Sequence, residues 1–92
     1  MTTSGSLKKI ERLLEQEKAL EAKAAFDRLV PENSVDYYLI SGKIEQKFQH
    51  WGDAINAFNK VLGIDPENTE AQSSLHLIRN VLNFWNPDVF NP

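Results

Sequence analysis

The sequence predicts an all-α protein made of two antiparallel helix hairpins and a fifth, C-terminal helix. Three observations carry that expectation: a segment that recurs with its residue classes kept, apolar residues at the helical period, and prolines placed where helices must stop. Ala22, Ala25, Phe26, Asp27, Arg28, Leu29 and Val30 return 32 positions later as Ala54, Ala57, Phe58, Asn59, Lys60, Val61 and Leu62. Pro31, Glu32 and Asn33 return 35 positions later as Pro66, Glu67 and Asn68, so three residues are added around Gly63 to Asp65. A shared pattern whose length changes only in a connection is what two copies of one supersecondary unit produce.

The elements follow in order. Ile10, Leu13 and Leu14 mark a first helix, and Ala22, Phe26 and Leu29, at i, i+4 and i+7, mark the apolar face of a second. Tyr37, Ile40, Ile44 and Phe48 mark a third, and Ala54, Phe58 and Val61 repeat the spacing of the second in a fourth. Each small Ala lets a neighbouring helix approach closely, and the Phe and aliphatic residue fill the seam. Pro31 and Pro66 end the second and fourth helices, because the residue before a proline is pushed out of the α region, and Asn33 or Asn68 can cap the helix that follows. Thr69 and Gln72 have the spacing of a capping box that opens a fifth helix over about 70–84, ending before Asn86 and Pro87. The chain of 92 residues reads as one domain, 1–92, with a first copy over about 6–33, a second over about 34–68, a C-terminal helix over about 69–85 and a tail over 86–92.

Composition narrows the function classes. With 10 basic against 13 acidic side chains the formal charge is −3, and no basic stripe is present to neutralise a run of phosphates, which argues against nucleic acid. There is no cysteine, so disulfides, thiolate zinc sites and cysteine nucleophiles are excluded. No stretch approaches the roughly 20 apolar residues that a membrane helix needs. The expectation is a cytoplasmic protein with no membrane contact, unless a presequence has been removed.

The second copy resembles a tetratricopeptide repeat, a unit of about 34 residues with an aromatic, a glycine four residues on, then A-x3-F and a closing proline. Tyr38, Gly42, Trp51, Ala54, Phe58, Ile64 and Pro66 stand at the matching places. The first copy matches through Ala22, Phe26, Leu29 and Pro31, with Ile10 where the family has a small residue. Ala71 and Leu75 are in register with the first half of a third repeat or a capping helix, so the resemblance spans residues 6–85, and the ending Asn86 to Pro92 is similar to that of small stand-alone bacterial members. The resemblance implies an α-solenoid with a right-handed superhelix. Three departures stand out: Glu45 replaces a buried aromatic, and Glu17 and Gln49 replace the glycine between the two helices of a repeat, so the turns are expected to differ. Lys18 and His50 stand where a better N-cap is common, which leaves the first amides of those helices to water.

The resemblance also implies a function, since family members hold a peptide or helix of another protein on the concave face. Mapped residue by residue, that face presents Leu39, Lys43 and Lys47 from the second copy and Ser73, Leu77 and Asn80 from the last helix. Lys43 and Lys47, one helical turn apart, are read either as partners for an acidic peptide or a carboxyl terminus, or as solvated side chains, while Leu39 and Leu77 offer apolar area. The set does not reproduce the carboxylate clamp of the chaperone-binding subgroup. From Ala71 to Pro92 the only charged side chains are Arg79 and Asp88, and Leu75, Leu77, Ile78, Val81, Leu82, Phe84 and Trp85 spread round more than one helix face. Trp85 and Phe90 either close the core or form a homodimer interface.

Catalysis has little support: the two histidines, His50 and His76, lie in no motif with a mechanism. His50 and Asp53 share a helix turn, but two ligands do not make a metal site. No metal and no cofactor is expected. The reading is a non-enzymatic protein-interaction module for an unidentified protein or peptide; the alternative is a structural protein that associates with itself.

Overall fold

The computed structural model describes residues 3–85, and all of its regular elements are helices. They are α1 (Thr3–Glu15), α2 (Ala19–Asp27), α3 (Val35–Lys47), α4 (Trp51–Ile64) and α5 (Thr69–Trp85). The fold is all-α. Each helix packs on its neighbour in the chain, and α1 also packs on α3. Two apolar clusters result. Leu7, Ile10, Leu14, Ala22, Ile40 and Ile44 bring α1, α2 and one side of α3 together, while Leu39, Ala54, Phe58, Val61, Ala71, Leu75 and Ile78 join the other side of α3 to α4 and α5. Helix α3 is therefore the shared wall, with Ile40 on one side and Leu39 on the other.

The two short turns are copies of each other. After α1, the Glu17 N–H donates to the Leu14 carbonyl (3.1 Å) and the Lys18 N–H to the Leu13 carbonyl (2.8 Å). After α3, the Gln49 N–H donates to Gln46 (3.0 Å) and the His50 N–H to Glu45 (2.8 Å). Both are Schellman motifs, which use a left-handed residue to satisfy the last carbonyls of a helix. Glu17 (φ 60°) and Gln49 (φ 61°) supply that residue, 32 positions apart. The departure from glycine thus leaves the left-handed geometry in place and puts a side chain where glycine is relaxed. Lys18 and His50 then begin α2 and α4 without a side-chain cap bond, as expected. The apolar contact that usually accompanies this motif is replaced in the second turn by His50 Nδ1 against Glu45 Oε2 at 3.1 Å.

The longer connections replace the Asn33 cap, bear out the Asn68 cap and leave the capping box unformed. Ser34, not Asn33, caps α3: its hydroxyl accepts from the Tyr37 N–H at 3.2 Å and donates to Glu32 at 2.7 Å. Asn68 caps α5 by accepting from the Ala71 N–H at 2.9 Å, so the proposed Thr69 and Gln72 box does not form, and the Gln72 amide donates instead to the Pro66 carbonyl at 2.9 Å. The α3 cap is one residue from the predicted Asn33, because either neighbour is chemically suitable and only the extended backbone at Ser34 decides. Helix α4 stops at Ile64, directly before Asp65 and Pro66, whereas α2 stops at Asp27, well ahead of Pro31.

Gly42 has a defined purpose. A Cβ there would lie 2.7 Å from the Phe58 ring, and Phe58 is fully buried, so glycine is what lets α3 and α4 close.

Candidate functional site

Residues from α1, α3 and α5 enclose a groove of about 550 Å³. Glu11, Leu14 and Glu15 come from α1, Lys43, Gln46 and Lys47 from α3, and Leu77 and Val81 from α5; Glu17, Gln49 and Trp51 close one end. The two left-handed turns thus set one end of the groove, since each carries its own left-handed residue into the wall. The apolar strip consists of Leu14, Trp51, Leu77 and Val81. Leu77 is 52% exposed, a large aliphatic side chain on an open surface.

The structure brings Lys43, Lys47 and Leu77 together as the sequence predicted, and corrects the remainder. Leu39 lies in the core at 8% exposure, packed with Phe58 and Ile78, and borders a smaller hollow with Glu11 and Glu70 instead of this groove. Ser73 and Asn80 are exposed on α5 but do not line the groove. The lysines are already engaged within the chain, which neither an acidic ligand nor plain solvation anticipates. Lys43 Nζ sits 3.0 Å from Glu11 Oε2 and 2.8 Å from Glu70 Oε1, tying α1, α3 and α5 together. Lys47 Nζ lies 3.4 Å from Glu17 Oε2. Burial draws the Lys43 pKa down, but the hydrogen bonds and charges of Glu70 and Glu11 outweigh it and hold the ammonium above its ordinary value.

Glu11, Leu14, Glu15, Glu17, Gln46, Gln49, Trp51 and Val81 were missed as groove residues. A signal for three of them was present: Glu11 and Glu15 stand 32 positions before Lys43 and Lys47, and Val81 stands 34 after Lys47. Extending the groove to the first copy finds them. The side chain of Trp85 and all of Phe90, the predicted self-association pair, lie outside the described residues.

A second cluster lies at the turn between α3 and α4. Glu45, His50 and Asp53 each place a ligand atom within 4.8 Å of the others. Sequence spacing joined only His50 and Asp53; Glu45 enters because the Schellman turn folds residue 50 back over residue 45. His50 and Asp53 are exposed, and Lys23 lies 3.9 Å from the other oxygen of Glu45, competing for its charge. His76 is exposed on α5, outside both clusters.

Among the described residues no helix is long and apolar enough to cross a membrane. No protein-family model, curated protein or solved structure matches this chain.

Proposed function

We propose that this chain is a non-enzymatic protein-binding scaffold. Its helices would form a tetratricopeptide-like solenoid of two hairpins and a capping helix, wound right-handedly, that holds a peptide or helix of a partner in the groove between α1, α3 and α5. One observation carries the reading: a groove in which Leu77 of α5 stands open, with half-buried Val81 one turn on, beside charged residues of α1 and α3. Open apolar area rimmed by polar side chains is what a peptide site needs. The repeated left-handed turns and the Gly42 and Phe58 contact support the repeat architecture.

Selection from a random-peptide display library tests the binding. Enriched peptides should shift amide resonances of α1, α3 and α5 in preference to α2 and α4, and should lose binding to Leu77→Asp. Peptides that map to the outer helices, or that ignore Leu77, overturn the groove reading.

Self-association is the second reading, favoured by α5, whose Leu77 and Phe84 are 52% and 79% exposed. Sedimentation equilibrium decides it: a concentration-dependent dimer supports it, and a monomer at all concentrations removes it.

A further inference from the structure

Of the two sequence readings of Lys43 and Lys47, solvated side chains or partners for an acidic segment, the second is opposed by the charges around them. The groove is lined by three carboxylates, Glu11, Glu15 and Glu17, against two ammonium groups. A smaller hollow of about 170 Å³ shares Glu11 and adds Asp36 and Glu70 against the single cation Lys8. Across both hollows five carboxylates therefore face three cations, Lys8, Lys43 and Lys47, a net −2. The distribution matters more than the sum. Lys43 already accommodates Glu11 and Glu70 at 3.0 and 2.8 Å, so an incoming carboxylate would be the third anion around one ammonium. Lys47 is held by Glu17. Glu15, on the last turn of α1, has no hydrogen-bond or ion-pair partner among the described residues. Glu17 is loosely held, its side chain 79% exposed.

An ammonium or guanidinium group entering near residues 15–17 meets one free carboxylate and one weakly paired one, with Leu14, Leu77 and Val81 beside them. Charge complementarity at a rim sets partner choice and on-rate more than total affinity.

We propose that the occupant of this groove is a basic amphipathic segment of a partner protein, with Arg or Lys directed at Glu15 and Glu17 and apolar side chains on Leu77 and Val81. The proposal rests on the groove reading above and deepens it by fixing the sign of the ligand.

Two synthetic peptide pools separate the two ideas, one built randomly from Leu, Phe, Arg and Lys, the other from Leu, Phe, Asp and Glu, each titrated against the intact chain by resonance shifts. The basic pool should shift residues of α1, α3 and α5, with an affinity that falls as salt is raised. Glu15→Lys, at an exposed site, should leave the circular dichroism spectrum unchanged and weaken that binding by about threefold to tenfold. Groove shifts from the acidic pool, with none from the basic pool, overturn the charge assignment and leave the groove reading standing. Shifts from neither pool, or shifts confined to α2 and α4, overturn both. Binding of the basic pool that survives both Glu15→Lys and Leu77→Asp is diffuse attraction to an acidic protein, and it also overturns the proposal.

Discussion

The pairs α1/α2 and α3/α4 are written in the same register but close differently. In the second, the end of the Phe58 ring packs against Gly42 and the side chain is fully buried. In the first, the residue at the glycine's place is Ile10, 32 positions earlier, and it is Ile10 that is buried, at 2% exposure, while Phe26 is only half-buried. Its ring leans on Tyr37 of α3 instead, with centroids 4.7 Å apart. A cleft of about 330 Å³, lined by Ile10, Leu13, Ala25 and Leu29 among others, lies between α1 and α2. Leu20 of α2 and Val30 after it are also exposed. One β-branched side chain in place of a hydrogen thus decides whether the aromatic of a repeat stays within its own pair or supports the next. The first pair is consequently the one that depends on its neighbour.

Truncating the two aromatics breaks this comparison most directly. Phe58→Ala should lose about 3–5 kcal/mol of unfolding free energy by urea titration, because it leaves a fully enclosed cavity. Phe26→Ala should lose about 1–1.5 kcal/mol, since half-buried area is worth less than a full burial. Equal losses would mean that the pairs close in the same way.

Glycine substitutions come next in size and carry opposite signs. Gly42→Ala should destabilise by about 1–3 kcal/mol, because the methyl group meets a ring with no room to move. Gly63→Ala, in the same protein, should stabilise by about 0.5–1 kcal/mol, because open space surrounds a helical glycine there. Loss of stability at Gly63 as well would show that helix α4 tolerates no added methyl group at its open end.

The turns sharpen the comparison where the pairs are alike. A left-handed non-glycine residue costs about 1–2 kcal/mol, and the extra chain entropy of glycine takes back about 0.5–1. Gln49→Gly should therefore raise stability by about 0.5–1 kcal/mol in thermal melts. Glu17→Gly should gain slightly less, because its carboxylate also meets Lys47 across an exposed gap of 3.4 Å.

The smallest effect is in alkali, at the joints that hold the first pair in place. Burial, then the charges of Tyr38 and Asp27, raises the Tyr37 phenol above its ordinary 10.0, and Lys43 is held above 10.5 by Glu70 and Glu11 against the pull of burial. Both groups favour the proton in the folded state, so their contribution is complete below the unfolded value and is lost as pH rises through the folded one. Melting temperature should be flat below 10.0 on their account and fall above it. Amide exchange in that range should accelerate first in α1 and α2. Exchange that accelerates uniformly over all five helices would argue against a weaker first pair.

The chain's order of helices was legible because helical period and proline restriction are local. Ala22, Phe26 and Leu29 state a face without reference to anything distant, and Ala54, Phe58 and Val61 state it again. The groove was legible in part. Lys43, Lys47 and Leu77, mapped by register, meet in one groove, but Leu39, mapped beside them, packs in the core, because its helix is covered on two sides and the sequence of α3 alone does not say which neighbour takes which side. The sign of the groove was not legible either. Glu11 precedes Lys43 by 32 residues and Glu70 follows it by 27, and only their convergence turns a free cation into a shared one.

By itself, then, the sequence determined a helical chain of two related copies and a closing helix, since amphipathic spacing and repeat offset are properties of neighbours along the backbone. Tertiary structure alone decided that Phe26 rests on Tyr37, that Ser34 rather than Asn33 caps α3, and that two lysines of the groove are neutralised from within. Each of these depends on side chains from different helices, or on backbone geometry at one residue, meeting at distances of a few ångströms.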